Sequence, residues 1–203
     1  MRDDRPRRPA RRSTDGVAAM TGAETAGPGL SGGWSTAGCE FARTPQTVTM
    51  GGTTIPVTPP ELDAAMARID HGGRTDHPHS YAGLEVDQHQ VNATVYRVPS
   101  AAFDDFIRAA AENTCVTVRD AAHSLTELTS WQDRLTADLP SWTARGVRIF
   151  TVGARHDGTG VEVGVQDVAQ AKDQLHARYG RSAPLVFVEQ APVTPLTSPN
   201  AGP

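Results

Sequence analysis

Two histidines and a carboxylate crowd the segment 74–80, which reads Arg-Thr-Asp-His-Pro-His-Ser. Imidazole nitrogens and carboxylate oxygens bind zinc and nickel, so Asp76, His77 and His79 are the candidate metal ligands of this chain. The His-Pro-His spacing is not that of a standard site, and a polar segment beside glycines often collects such residues. We therefore expect no bound metal and no cofactor.

The pair His123-Ser124 is the candidate for nucleophilic chemistry, since it offers a base beside a hydroxyl. A serine nucleophile also needs an oxyanion hole, and the sequence lacks the Gly-x-Ser-x-Gly elbow of many hydrolases. Ser124 begins the pattern Ser-Leu-Thr-Glu, a capping box that predicts a helix N-terminus. Because capping explains this serine, we predict no catalytic residue here.

A unit of strand, turn, strand, helix and strand occurs twice and must position all of these residues. The first copy covers residues 84–121 and the second covers residues 148–190. Asp157-Gly158 predicts a hairpin turn, and the alternation of Val161, Val163 and Val165 predicts a strand with one buried face. We expect an α+β fold with antiparallel sheet and helices on one face. It would form either two ferredoxin-like halves or one continuous sheet.

The helices are predicted from their caps and apolar stripes. Thr58 and Glu61 form a capping box around Pro59 at the first helical position, and Gly72-Gly73 is expected to end this helix near His71. Ser100 and Ser124 are predicted to cap two further helices. Pro140 is expected to bend or break the helix that Ser124 begins, because proline removes a backbone donor.

Composition divides the chain into four regions. Residues 1–54 are rich in Gly, Ser, Thr, Ala and Arg and are expected to be disordered or loosely docked, with Trp34 and Phe41 as docking residues. Residues 55–80 form the capped helix and a polar linker, and residues 81–191 form the duplicated domain. The Pro-rich tail, residues 192–203, is expected to be disordered.

Charge restricts the partners of this chain. The net charge is −4, and residues 1–12 carry +4 of their own, which leaves −8 on the rest. An acidic body argues against nucleic acid as a partner, because phosphate affinity comes mainly from Lys and Arg. No apolar run approaches the length of a membrane helix, so we expect no membrane partner. A single lysine among 19 basic residues is typical of a GC-rich, actinobacterial genome.

Cys39 and Cys115 are the two cysteines of the chain. They would pair in an exported protein and stay reduced in the cytosol. No export signal is recognisable near the first residues, so the expected location is the cytoplasm, or the exterior if the true start codon lies upstream. Cys115 begins a predicted interior strand, and we expect it to be a buried free thiol.

Three stretches of the duplicated domain carry a family resemblance: Tyr81–Asp87, Val91–Tyr96 and Asp157–Val163. With them, residues 81–190 resemble the pro-regions of alpha-lytic-type secreted serine proteases, and also Streptomyces-type proteins with the same layout. The resemblance implies a protein that assists the folding of a protease and inhibits it. It further implies contact through sheet addition and an inserted C-terminal tail.

We therefore predict a non-catalytic module that binds another protein, of an inhibitor-like or chaperone-like kind, through a strand edge or the helix-free sheet face. A small-molecule-sensing domain is the first alternative, since paired α+β halves often hold a ligand between them. A hydrolase or metal-dependent enzyme using His77, His79 or His123 is the second alternative. The oligomeric state stays open.

Overall fold

The computed structural model describes residues 32–192, which adopt an α+β fold. The helices in this range are α1 (Pro60–Thr75), α2 (Ala101–Ala111), α3 (Leu125–Ala144) and α4 (Val168–Tyr179). A short 3₁₀ helix spans Ala37–Glu40. The strands are β1 (Trp34–Ser35), β2 (Gln46–Met50), β3 (Thr53–Val57), β4 (Tyr81–Asp87), β5 (Asn92–Arg97), β6 (Val116–Asp120), β7 (Ile149–Ala154), β8 (Val161–Val165) and β9 (Leu185–Glu189). Predictions that concern residues 1–31 and 193–203 lie outside the described residues.

The two units share one pattern of strand pairing. In unit one, β4 pairs antiparallel with β5, and β5 pairs parallel with β6. In unit two, β7 pairs antiparallel with β8, and β8 pairs parallel with β9. The expected antiparallel pairing is present in each unit, and a parallel pair that was not predicted lies beside it, because a helix lies between the second and third strands of each unit. A helical crossover returns the chain to the same end of the sheet, so the next strand runs parallel.

The two units form separate sheets, which corrects the alternative of one continuous sheet. Unit one gives the order β1-β6-β5-β4, unit two gives β7-β8-β9, and within residues 32–192 β2 pairs only with β3. The turn of unit two packs on a face of β4, where an added Cβ on Gly83 would come within 2.3 Å of the His156 carbonyl oxygen. The two units therefore meet through packing of this turn on the sheet of unit one.

Each sheet carries its helices on one face, as the sequence predicted. The core of unit two forms where α3 and α4 cover β8, and Val161, Val163 and Val165 are fully buried there. The core of unit one forms where α1 and α2 cover β5 and β6. The opposite face of each sheet is free of helices within residues 32–192.

Helix α1 differs from the prediction at both ends. It begins at Pro60 with Pro59 as its N-cap and no side-chain cap, while Thr58 Oγ1 accepts a hydrogen bond from Gln88 (3.2 Å). It continues through Gly72 and Gly73 to Thr75. These glycines serve close packing rather than termination, because an added Cβ on Gly72 would lie 2.2 Å from the ring of Phe106.

The predicted caps of α2 and α3 are confirmed. The side chain of Ser100 accepts the Phe103 amide (3.4 Å), and that of Ser124 accepts the Glu127 amide (3.2 Å). Helix α3 was expected to bend or break at Pro140, and it does not break there but continues to Ala144. Pro140 is exposed, so water can satisfy the backbone carbonyl that loses its N–H partner.

Residues 34–57 contain regular structure, although composition predicted disorder or loose docking up to residue 54. Strand β1 pairs with β6, and a hairpin of β2 and β3 follows. Trp34 packs against the core of unit one, whereas Phe41 is 69% exposed. Cys39 and Cys115 form a disulfide, which corrects the expected free thiol. The thiols meet because residues 34–40 lie along β6, a long-range contact that composition does not reveal.

Candidate functional site

The candidate metal ligands lie in three different environments in the structure. The His77 ring packs between aromatic neighbours, with centroid distances of 5.0 Å to Phe103 and 5.3 Å to Phe106. Asp76 caps the C-terminus of α1 and His79 is exposed. Across residues 32–192, no three side chains of His, Cys, Asp or Glu are grouped so as to hold a metal ion. In the same range, no helix combines the length and apolarity needed to cross a membrane.

His123 and Ser124 lie at the start of α3. Ser124 is 4% exposed, and its hydroxyl accepts the Glu127 amide. His123 Nδ1 lies 2.9 Å from Glu127 Oε1, so this carboxylate turns towards the imidazole instead of completing the capping box. The structure therefore brings His123 and Ser124 to a helix N-terminus, with Glu127 as the group that both contact.

The turn of unit two joins the two units. Asp157 Oδ1 accepts the amide (3.0 Å) and the hydroxyl (2.6 Å) of Thr159, and Gly158 has φ +67°. An added Cβ on Gly158 would come within 2.5 Å of the Ala121 side chain. The Gly158 carbonyl also accepts the His123 amide (3.2 Å). Gly158 is thus required for two reasons. Its positive φ forms the turn that Asp157-Gly158 predicts, and its lack of a Cβ lets this turn contact unit one closely.

Beside this turn, three side chains form a polar contact between the units, which we call the junction: Glu85, Tyr96 and His156. The Tyr96 hydroxyl donates to Glu85 Oε1 (2.7 Å), and Glu85 Oε2 lies 3.2 Å from His156 Nε2. Burial, and then the hydrogen bond to Glu85, raise the pKa of Tyr96 to about 12. Tyr96 is therefore a neutral hydrogen-bond donor at pH 7 and is a poor nucleophile.

The junction connects the helix-free faces of the two sheets, which we call the open face. On unit one, Glu85 borders a concavity of about 600 Å³ that extends to Thr94, Thr117 and Arg119. On unit two, His156 borders a concavity of about 520 Å³ that extends to Glu162 and Gln190. Carboxylates and guanidinium groups of both units thus share one polar surface.

On unit two the open face is shaped by a glycine. The Thr151 hydroxyl donates to Gln190 Oε1 (2.7 Å), a bond that joins β7 to the end of β9 across β8. Gly164 lies beneath this bond, and an added Cβ there would come within 2.0 Å of Gln190 Oε1. The small residue allows two side chains from the outer strands to meet above the central one.

Sequence reasoning did not single out Glu85, Tyr96 or His156. The signal was present, because residues at alternating positions of a strand share one face. Glu85 in β4, Thr94 and Tyr96 in β5 and Glu162 in β8 follow this rule. Their contact across the units depends on how the turn at residues 156–158 packs on unit one, and a local pattern does not encode that packing.

Strand β9 ends the sheet of unit two and has β8 as its one strand neighbour within the described residues. Leu185, Val186, Phe187 and Val188 are all partly exposed. Edge strands of soluble proteins are commonly protected by charges, prolines or bulges. None of these interrupts residues 185–188, so within residues 32–192 β9 presents an apolar edge that pairs with no strand on its outer side.

Arg155 holds the turn of unit two to the open face. Its guanidinium contacts Asp157 (3.0 Å) and Glu162 (3.2 Å). Burial raises the pKa of Asp157, but hydrogen bonds from Arg155 and Thr159 outweigh it and lower this pKa to about 2. The carboxylate is therefore charged in the folded protein throughout the neutral and mildly acidic range.

Replacing Asp157 with asparagine is expected to lower the melting temperature at pH 7, and by progressively less as the pH falls. The folded-state pKa lies below the unfolded value of about 3.9, so the stabilisation is complete above about pH 4 and is lost as the pH falls towards 2. Thermal unfolding followed by circular dichroism at pH 7, 4 and 2.5 measures this. Asp133→Asn, at an exposed position of α3, is the control. A loss that stays constant with pH would show that the charge is unimportant.

Comparison of the chain with models of known protein families, with curated proteins and with solved structures finds no match.

Proposed function

We propose that this chain is a non-catalytic protein-interaction module, of an inhibitor-like or chaperone-like kind, that binds its partner by strand addition at β9. The observation that carries the proposal is the apolar edge of β9 at residues 185–188, whose one strand neighbour within the described residues is β8. An extended segment of a partner can pair with such an edge through main-chain hydrogen bonds, while side-chain pockets provide selectivity.

The backbone groups available for this pairing follow from the register of β9. Gln190 donates its amide to the Val165 carbonyl (2.8 Å), so residue 190 faces β8. Backbone groups of successive residues in a strand point to opposite sides, and the amides of Phe187 and Glu189 therefore face away from β8. These two residues supply the donors and acceptors for an added strand.

The open face adjoins this edge and supports a protein partner over a small ligand. Its two concavities, of about 600 and 520 Å³, fall within the size range of small-molecule sites, which is the observation in favour of the sensor alternative. Small-molecule sites are lined mainly by apolar and aromatic side chains. Here charged side chains are part of the lining, with Glu85 and Arg119 in one concavity and Arg155 and Glu162 in the other. Such a polar surface suits the side chains of a strand added at β9.

The replacement Glu189→Pro is expected to abolish partner binding and to leave the fold intact. Proline removes the outward amide of residue 189, and its ring points away from β8, where an edge strand tolerates it. Glu189→Ala is the matched control, because it removes the same side chain and keeps the amide. The wild-type chain and both variants are used as baits in the source cells' extract and medium, and the retained proteins are compared by mass spectrometry.

Strand addition predicts a protein retained by the wild-type chain and by Glu189→Ala and lost with Glu189→Pro. Circular dichroism of the three baits establishes that they are folded alike. A partner retained equally by Glu189→Pro would contradict docking at β9. Retention that is lost equally with Glu189→Ala would assign the contact to the carboxylate instead of the backbone.

A further inference from the structure

Residues 34–43, which we call the strap, lie across the outer edge of β6. Strand β1 within the strap pairs with β6 through two residue pairs, Trp34 with Val118 and Ser35 with Thr117. Thr36 then bonds three backbone groups: its amide donates to the Val116 carbonyl (2.9 Å), and its hydroxyl contacts the Val116 amide (3.0 Å) and the Thr114 carbonyl (2.7 Å). The strap thus occupies backbone groups that would otherwise form a free edge.

Further contacts hold the strap: Trp34 packs against the core of unit one, and the Ser35 hydroxyl lies 3.3 Å from the Thr117 hydroxyl. Arg43 donates to backbone carbonyls at Gly38 and Asn113, and the Trp34 ring receives the Arg108 guanidinium (4.3 Å to the centroid). The indole N–H of Trp34 is buried and has no acceptor among residues 32–192, which weakens docking. Phe41, the largest apolar side chain of the strap after Trp34, is 69% exposed and adds little burial.

One covalent bond strengthens this contact: the disulfide between Cys39 in the strap and Cys115 at the start of β6, 76 residues apart in the chain. It lies between the Thr36 contacts and the Arg43 contacts, so it fixes the centre of the strap. Both cysteines are partly exposed. An oxidising compartment preserves such a bond, whereas cytosolic dithiols reduce it.

We propose that the Cys39–Cys115 disulfide is a redox-sensitive latch that holds the strap over β6. Its reduction releases the strap and frees the backbone groups of β6 that the strap occupies. The latch is a property of the chain alone and goes beyond the proposed docking at β9. Thr36 of the strap bonds one side of β6, and β5 pairs with the other side. The pairing with β5 therefore keeps β6 in the sheet when the strap leaves.

The reductant is a dithiol of the thioredoxin class. One of its sulfurs attacks the disulfide, giving a mixed disulfide and one free cysteine, and its second sulfur then displaces the other cysteine. Two electrons pass from the dithiol to the protein. Cys39 and Cys115 end as thiols with the two protons of the dithiol, and the reductant ends as an internal disulfide.

Amide hydrogen exchange of the full chain, before and after dithiothreitol, tests the latch without any partner. The Val116 amide faces the strap, whereas the Ala93 amide donates to the Cys115 carbonyl on the opposite side of β6 (3.1 Å). Reduction is expected to accelerate exchange at Val116 at least about tenfold, because its acceptor leaves with the strap, and to leave Ala93 protected. Cys39→Ser combined with Cys115→Ser is expected to show the fast exchange at Val116 without reductant.

Two results would overturn the latch. Unchanged exchange at Val116 after complete reduction would mean that the hydrogen bonds and Trp34 hold the strap by themselves. Equal acceleration at Val116 and Ala93 would mean that reduction unfolds unit one as a whole. Both readouts are independent of β9, so the latch can fail while docking at β9 stands, and docking at β9 can fail while the latch stands.

Discussion

Replacing Arg97 with methionine is expected to lower the free energy of unfolding by about 3–5 kcal/mol, the usual cost of removing one member of a buried ion cluster. Arg97 is 4% exposed and lies between two carboxylates. Its Nε lies 2.5 Å from Asp104 in α2, and its Nη1 bonds Asp120 in β6. Without the guanidinium, two poorly solvated carboxylates would face each other beneath the helix.

Urea denaturation followed by far-ultraviolet circular dichroism measures this loss. Asp105→Asn is the control, because it breaks the exposed pair between Asp105 and Arg108 on the same helix, where the two side chains are 79% and 53% exposed. Exposed pairs contribute less than about 1 kcal/mol, so the control is expected to retain nearly full stability. If Arg97→Met lost no more than the control, the buried cluster would not stabilise unit one.

Replacing Trp142 with alanine is expected to cost unit two about 3–5 kcal/mol, because it leaves a large cavity in the core. Trp142 lies near the end of α3, is 1% exposed, and donates its indole N–H to the Tyr179 hydroxyl (3.1 Å). Tyr179 in turn donates to Asp138 (2.6 Å). Trp142 therefore fills the apolar core and also begins a series of two hydrogen bonds, through Tyr179 to Asp138, that joins α3 to α4.

Trp142→Phe separates packing from hydrogen bonding. Phenylalanine keeps most of the apolar volume but loses the donor and part of the ring, so the expected cost is about 1–2 kcal/mol, well below that of alanine. Chemical denaturation of the wild-type chain and the two variants gives both values. An alanine variant as stable as the phenylalanine variant would show that the core of unit two closes around the missing ring.

Local patterns predicted the elements well because their causes are local. Alternating valines predicted β8, the repeated unit predicted a helix at α2 and at α4, and the hydroxyls of Ser100 and Ser124 predicted helix starts. Each depends on residues within a few positions of one another, where periodicity and capping act. The hairpin turn at Asp157-Gly158 belongs to the same class.

The errors concern contacts between distant residues. Gly72 and Gly73 read as a helix end, but Phe106 and Tyr81 pack against them and keep α1 intact. The parallel pairing of β6 and β9 and the separation of the two sheets depend on tertiary packing. The candidate site also depends on tertiary packing and was not predicted, since Glu85 and His156 are 71 residues apart and meet only in the folded chain.

The pairing of β1 with β6 has a consequence for the order of events during synthesis. Ser35 meets Thr117, 82 residues later in the chain. At translation rates of about 5–20 residues per second, the ribosome needs about 4–16 s to make the missing strand. For that interval Cys39 has no native partner and is open to mixed disulfides with other thiols. The outermost strand of unit one is thus made first and docks last, and its arrival marks the completion of that sheet.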